Sequence, residues 1–193
     1  MHDLILASGS PRRRDILKNM GLSFVVEPAD IDESVLEGES PEAYVSRMAR
    51  SKAEHCAKLH PDAVVLGADT VVVLGSTIFG KPKDRADAAA MIGALSGRTH
   101  VVLTAVAVCA KGELKQILER TEVTFARLDP ELIETYVASG ESDDKSGSYA
   151  LQGIAAMLIE KVSGSVSSVV GLPACQTREL LAQVGLYPRT VKA

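Results

Sequence analysis

Short apolar runs and wider apolar stripes at helical spacing take turns along the chain, the pattern of alternating strands and helices. The run Leu4-Ile5-Leu6-Ala7 reads as a buried strand and Phe24–Val26 as a second. Between them Ser10 has the chemistry of an N-cap and Pro11 that of a first helical residue. Ile16, Leu17 and Met20 form the apolar stripe and Gly21 the stop. Ser40-Pro41 opens another helix extending to about His60, with Val45, Met48, Ala49 and Cys56 on its inner face. Val64-Val65-Leu66 and Val71–Leu74 are predicted strands on either side of a break at Gly67-Ala68-Asp69-Thr70. Asp84 caps a helix with Met91, Ile92 and Leu95 inward and Gly97 at its end. Two long strands, Val101–Cys109 and Leu114–Phe125, meet at Lys111-Gly112-Glu113 as a hairpin. Asp129-Pro130 starts a helix carrying Leu132, Ile133, Tyr136 and Val137, which stops at Gly140. The Gly/Ser/Asp-rich loop Ser139–Ser148 leads to Tyr149-Ala150-Leu151-Gln152-Gly153. Met157–Val162 then reads as a strand and Pro173–Val184 as a closing helix. Crossover helices with a long hairpin predict an α/β fold: a mixed, curved sheet with flanking helices and a cleft between two lobes. No repeat, low-complexity tract or Pro/Gly/Ser-rich linker divides the chain, so residues 1–193 are read as a single domain.

Composition narrows the partners. With 193 residues and 46% hydrophobic positions the chain is long enough for a substantial core. The net charge of −4 argues against nucleic acid held on a broad basic face, and 4% aromatics without Trp argue against a base-stacking platform. No apolar stretch approaches the ~20 residues of a membrane span, and no secretory pattern opens the chain. Cys56, Cys109 and Cys175 are scattered, without a CxxC spacing, and read as buried free thiols. A cytoplasmic location without membrane or nucleic-acid partners is therefore expected.

Candidate chemistry starts with the first predicted helix. Arg12, Arg13 and Arg14 occupy a first turn where the macrodipole is already positive, and each cation there costs about 0.3–1 kcal/mol. Such a cluster suits an anion, phosphate above all, held between free backbone N–H groups and guanidinium forks. The competing reading is a solvated basic patch, with Arg14 facing water. Asp69 lies in the predicted break, where ligand sites collect at strand ends, though an Asp near Gly is commonly a turn former. Lys52 falls at i+7 of the stripe that begins at Val45, on the buried face, where it must snorkel out or meet an anion. Lys81 follows Gly80, which permits close approach of a ligand to the backbone. Glu33 ends the acidic run Asp30–Glu33 and, with Asp69, could supply oxygen ligands to Mg²⁺. Gln152 between Leu151 and Gly153 offers a carboxamide able to read a base edge. Taken together, phosphate-binding cations, metal-binding carboxylates and a base reader fit hydrolysis of a nucleoside triphosphate. His2, His55, His60 and His100 show no catalytic or metal spacing and are read as structural. G-x-x-x-x-G-K-[ST], G-x-G-x-x-G and G-x-S-x-G are all absent, which excludes a P-loop NTPase, a dinucleotide fingerprint and a serine hydrolase elbow.

The segments Leu6-Ala7-Ser8-Gly9-Ser10-Pro11-Arg12-Arg13, Gly67-Ala68-Asp69-Thr70, Gly80-Lys81-Pro82, Leu95-Ser96-Gly97 and Val170-Gly171-Leu172-Pro173 resemble the Maf family of nucleoside triphosphate pyrophosphatases. That resemblance implies an inosine-triphosphatase-like fold with a cleft between lobes. It also implies metal-dependent cleavage (Mg²⁺ or Mn²⁺) of a nucleoside triphosphate to monophosphate and pyrophosphate, commonly in a homodimer. Asp69 matches the family's proton acceptor; Glu33, Lys52 and Lys81 match positions around the triphosphate and metal; Ser8 and Arg13 match its phosphate loop. Arg12, Thr70 and Gln152 match the subfamily acting on dTTP and UTP, whereas the 7-methyl-GTP type carries an aromatic residue, Gln and Glu there. Rival readings are a pyrophosphatase for another modified nucleotide and a nucleotide-binding regulator of cell division.

Overall fold

The computed structural model describes residues 4–188. In chain order its elements are β1 (Leu4–Leu6), α1 (Pro11–Asn19), β2 (Phe24–Val26), α2 (Pro41–Leu59), β3 (Val64–Leu74), β4 (Thr77–Phe79), α3 (Arg85–Leu95) and β5 (Thr99–Ala110). There follow β6 (Glu113–Phe125), α4 (Pro130–Ala138), β7 (Ile159–Ser163), α5 (Val166–Val170) and α6 (Ala174–Ala182), with 3₁₀ turns at Ser146–Ser148 and Ile154–Leu158. The hydrogen-bonded order is β2-β1-β3-β5-β6-β7, with β4 beside β3, so the expected mixed sheet with helices is present. Among the described residues no helix is long and apolar enough to cross a membrane.

The chain clusters into two compact units. The first takes residues up to Asp69, Thr104–Glu119 and the segment from Gly171 onward. Here β1 pairs in parallel with both β2 and β3, Leu4 standing opposite Phe24 on one side and Val64 on the other. Parallel neighbours require crossovers, which α1 and α2 supply. Ser10 caps α1 by accepting the Arg13 N–H, Pro11 fills its first position, and Gly21 at φ +70° ends it. The core of this unit gathers Leu4, Leu6, Leu17, Val64, Leu66, Val106, Leu172 and Leu181.

The second unit takes Thr70–Leu103 and Arg120–Val170. Its core joins Val72, Ile92, Leu95, Val123, Phe125, Tyr136 and Leu158. His100, Phe125 and Tyr149 meet edge to face within it, with ring centroids 5.0–5.4 Å apart. The hairpin between β5 and β6 turns through Lys111 and Gly112, both at positive φ, as a two-residue primed turn requires.

Three expectations need correction. The predicted break at Gly67–Thr70 does not exist: β3 runs unbroken from Val64 to Leu74. Gly67 is there for another reason, because a Cβ would stand 2.3 Å from Ala49 O and 2.6 Å from Ala53 N of α2. The predicted strand Met157–Val162 begins instead at Ile159, since Ile154–Leu158 winds into a 3₁₀ turn. Apolar Met157 and Ile154 are exposed, so their hydrophobicity does not report a strand. Cys175 is exposed, not buried like Cys56 and Cys109. Two elements, β4 and the five-residue α5, had no signal of their own; β4 forms as the return arm of a tight hairpin through Gly75. His2 lies outside the described residues.

Candidate active site

The loop after β1 turns the arginine cluster into three different environments. Arg13 is buried; its Nη1 donates to Ser8 Oγ at 3.0 Å and its Nε to the Gly171 carbonyl at 2.8 Å. Ser8 Oγ also accepts the Ser10 N–H at 3.3 Å, so the hydroxyl fixes both the loop and the guanidinium. Burial pulls the Arg13 guanidinium below its ordinary pKa against the raising influence of Asp69; Arg12 lowers it further and Glu33 opposes. Arg12 is half-buried, whereas Arg14 is exposed beside Asp15. The solvated-patch reading therefore describes Arg14 alone.

Lys52 meets an anion, in fact two. Its Nζ lies 2.8 Å from Asp69 Oδ1 and 2.7 Å from Glu33 Oε1. Helix α2 delivers it from the same face that buries Val45, Met48 and Ala49, and Gly67 lets that face lie directly on β3, two residues before Asp69. Asp69 is thus a mid-strand residue whose carboxylate faces the helix, 14% exposed against 56% for Glu33.

The acidic loop is strapped to α2 and is not a freely solvated run. Tyr44 Oη donates to the Glu33 carbonyl at 2.9 Å, and Arg47 Nη2 to the Ser34 carbonyl at 2.9 Å. Arg47 also forks onto Glu39, both bonds at 2.6 Å, and holds that carboxyl below its ordinary range. Burial, then the charges of Asp69 and Glu33, push the Tyr44 phenol up to about 12. Tyr44, Arg47 and Glu39 are the structural partners that sequence reading missed, and Gly67 is the one whose role it misread. Glu39 stands just before the N-cap Ser40 and Arg47 on α2 itself, eight positions apart and so outside the i, i+3 and i, i+4 spacings by which charges on a helix are paired from sequence.

The carboxylates of Glu33 and Asp69 suit Mg²⁺ or Mn²⁺, since both already converge on one positive centre, the Lys52 ammonium. A small hard cation keeps several waters and takes one or two carboxylates together with phosphate oxygens. Among the described residues no group of three or more His, Cys, Asp and Glu gathers as a metal site, so further ligands would come from water and substrate.

The structure gathers Ser8 with Arg13, and Glu33 with Lys52 and Asp69. Thr70, half-buried on β3, and the exposed Lys81 and Gln152 belong to the second unit. There the Gly80 carbonyl accepts the Gly147 N–H at 3.0 Å, tying the turn that carries Lys81 to the loop ahead of Gln152.

Residues 3–184 match the family model described as Maf-like protein. A dTTP/UTP pyrophosphatase of Symbiobacterium thermophilum is 47% identical over 188 residues, covering 97% of this chain and 96% of its own. Proteins of the same name from Myxococcus xanthus and Anaeromyxobacter dehalogenans are 49% and 50% identical. They cover 95% and 94% of this chain and 93% and 94% of their own. Among solved structures, the Ham1 protein of Staphylococcus aureus is 16% identical, with a TM-score of 0.47, covering 64% of this chain and 72% of its own. A Vibrio cholerae protein is 11% identical with a TM-score of 0.49, covering 97% and 99%. Both likenesses are too loose to bear on function. The family match over nearly the whole length, with full-length relatives near half identity, is decisive: the chain belongs to the Maf-like protein family.

Proposed function

We propose that this protein is a nucleoside triphosphate pyrophosphatase that hydrolyses dTTP and UTP to monophosphate and pyrophosphate with the help of a divalent metal. The observation that carries the reading is the Lys52 ammonium shared by Glu33 and Asp69, beside a buried arginine. The names of relatives near 50% identity support the substrate pair.

Asp69 accepts a proton from water as the water oxygen bonds to the α-phosphorus. The bond from that phosphorus to the bridging oxygen breaks, and its electron pair leaves with pyrophosphate. Lys52 orients Asp69 through the 2.8 Å bond and places positive charge where phosphate oxygens gain negative charge. Ser8, Arg12, Arg13 and Lys81 bind phosphate oxygens, and Arg12, Thr70 and Gln152 select the base. Glu33 and Asp69 would hold Mg²⁺ or Mn²⁺, which would neutralise developing charge and lower the pKa of bound water. The working form is a cytoplasmic homodimer, without nucleic-acid or membrane partner; the net charge of −4 supports the exclusion of nucleic acid.

Purified protein incubated with Mg²⁺ or Mn²⁺ and a panel of nucleoside triphosphates tests the reaction, with products separated by chromatography. The expected outcome is monophosphate plus pyrophosphate from dTTP and UTP, and turnover lower by about 100-fold or more in Asp69→Asn, the usual contribution of a general base. Wild-type turnover in Asp69→Asn would remove Asp69 from the mechanism. Binding without cleavage by the wild type would establish a nucleotide-binding regulator instead.

A further inference from the structure

In the second unit one carboxylate with no part in the reaction above organises the backbone next to Gln152. Helix α4 ends at Ser139-Gly140, where Gly140 at φ +76° turns the chain back and Ser139 Oγ accepts the Glu141 N–H at 3.3 Å. Glu141 is thereby aimed at the start of the 3₁₀ turn Ile154–Leu158. Its Oε2 accepts the Ile154 N–H at 2.7 Å, and its Oε1 accepts the Ala155 N–H at 2.9 Å and the Tyr136 O–H at 3.2 Å. The first amides of a helical turn have no partner within it, and the residue that should cap this one, Gly153, has no side chain. Glu141 supplies the missing cap from twelve residues upstream of Gly153.

Gly153 is the other half of the arrangement. A Cβ there would stand 2.1 Å from Glu141 Oε2 and 2.7 Å from Cδ, so the carboxylate fills the space that any other residue's side chain would claim. Carboxylate and glycine fit as a pair, and together they fix the Gly153–Ile154 and Ile154–Ala155 peptides, the first of them one residue beyond Gln152. Tyr136, fully buried in the core of the unit, anchors the far side of the carboxylate. An exposed carboxamide on a mobile backbone samples both backbone and side-chain states and loses discrimination; fixing the backbone fixes the point from which its side-chain torsions bring the oxygen and NH₂ group to a base, so less freedom is lost on binding.

We infer that Glu141 is a specificity-determining positioning residue, holding Gln152 in register through the Ile154 and Ala155 amides and the bare α-carbon of Gly153. The inference rests on the reading of Gln152 as the group that recognises the base. A carboxamide so held can donate to one carbonyl oxygen of uracil or thymine while accepting the ring N–H, a pattern cytosine does not offer. Glu141 acts through Gln152 and touches no reacting atom.

The test compares kcat/KM for UTP with that for CTP in wild type, Glu141→Ala, Glu141→Gln, Gln152→Ala and the Glu141→Ala/Gln152→Ala double variant. The UTP:CTP ratio is expected to fall by about tenfold in Glu141→Ala and in Gln152→Ala, the scale of a modest misplacement. The double variant should fall no further than Gln152→Ala alone, because one residue works through the other. Glu141→Gln, with one acceptor oxygen left for three donors, should fall in between. An unchanged ratio in Glu141→Ala, or additive losses in the double variant, would overturn the inference. Where Glu141→Ala does not fold, Gly153→Ala crowds the same carboxylate from the opposite side and carries the same expectation. The wild-type control separates the two failures: if wild type cleaves no triphosphate the proposed reaction is wrong, and if it prefers UTP but Glu141→Ala does so equally, only the positioning role is wrong.

Discussion

Lys52 leaves the apolar stripe of α2 with its Nζ within 2.8 Å of both Asp69 and Glu33, so a face built for burial delivers a cation into a pair of anions. The helical period placed Lys52 on that face from sequence, but not which anions it would meet, because Asp69 is seventeen residues away on another element. His100 is the opposite case, a titratable group that the fold keeps neutral. It is 1% exposed, packed edge to face against Phe125 and Tyr149; Nε2 bonds Tyr149 Oη at 2.8 Å and Nδ1 meets no partner among the described residues. Protonation would put a second N–H, and a charge, where nothing accepts them, and burial lowers its pKa from 6.5 to about 4. Between those values the unfolded chain binds a proton that the native state refuses, so stability falls as pH falls from 6.5 to 4. The loss attributable to this group is about 3 kcal/mol, from about 1.4 kcal/mol per pKa unit. Urea unfolding across that range should show wild type losing stability more steeply than His100→Gln by about that amount. Parallel curves would mean that His100 does not control the acid limb.

At the scale of elements, the contact between α2 and β3 sets the site. Gly67 was legible as a breaker inside a Val-rich run, and the turn-like composition around it suggested that the strand stops. In three dimensions the glycine serves the helix, leaving no room for even a methyl group between strand and Ala49. Sequence periodicity cannot distinguish a glycine that bends its own strand from one that admits a neighbour, since both look like a gap in the apolar pattern. Gly67→Ala should therefore destabilise the protein by about 3 kcal/mol, as over-packing against backbone does. It should also depress turnover, because α2 can relieve the clash only by carrying Lys52 away from Asp69. Thermal unfolding with kinetics on the same sample checks both; a stable, fully active Gly67→Ala would show that the close approach does not set the Lys52–Asp69 distance. The capped helices α1, α2, α3 and α4 were legible for a local reason: Ser10, Ser40, Asp84 and Asp129 each bond an amide three residues on. The turn at Ile154–Leu158 was not, because its cap comes from Glu141, thirteen residues before Ile154.

Across the whole molecule, one of the four boundaries between the two units falls at 170/171, at the end of α5, and the other three at 69/70, 103/104 and 119/120, inside strands β3, β5 and β6. No linker composition marks such boundaries, so a search for Gly, Pro or Ser-rich joints reads the chain as one domain. Charge is distributed with the same economy: a chain of net charge −4 keeps Arg13 and Lys52 close to Asp69 and Glu33, with Arg12 next to Arg13. A triphosphate carries more negative charge than these cations, already offset by two carboxylates, can balance, so its binding at this cluster depends on added positive charge. Stability should then respond to nucleotide and metal jointly. A ligand at 100 times its Kd adds about 2.7 kcal/mol to the native state. In a chain of this size each kcal/mol moves Tm by about 2–4 °C. Thermal melts of the wild type with the non-hydrolysable α,β-imido forms of UTP and CTP, chosen so that the nucleotide survives the scan, should rise by about 5–10 °C with the UTP form and a divalent cation together. The CTP form with the same cation should give a smaller rise, because the base reader meets the wrong edge. If the UTP form raises Tm equally in the presence of a chelator, the carboxylates do not recruit a metal for binding, and Glu33 and Asp69 act on the substrate without one.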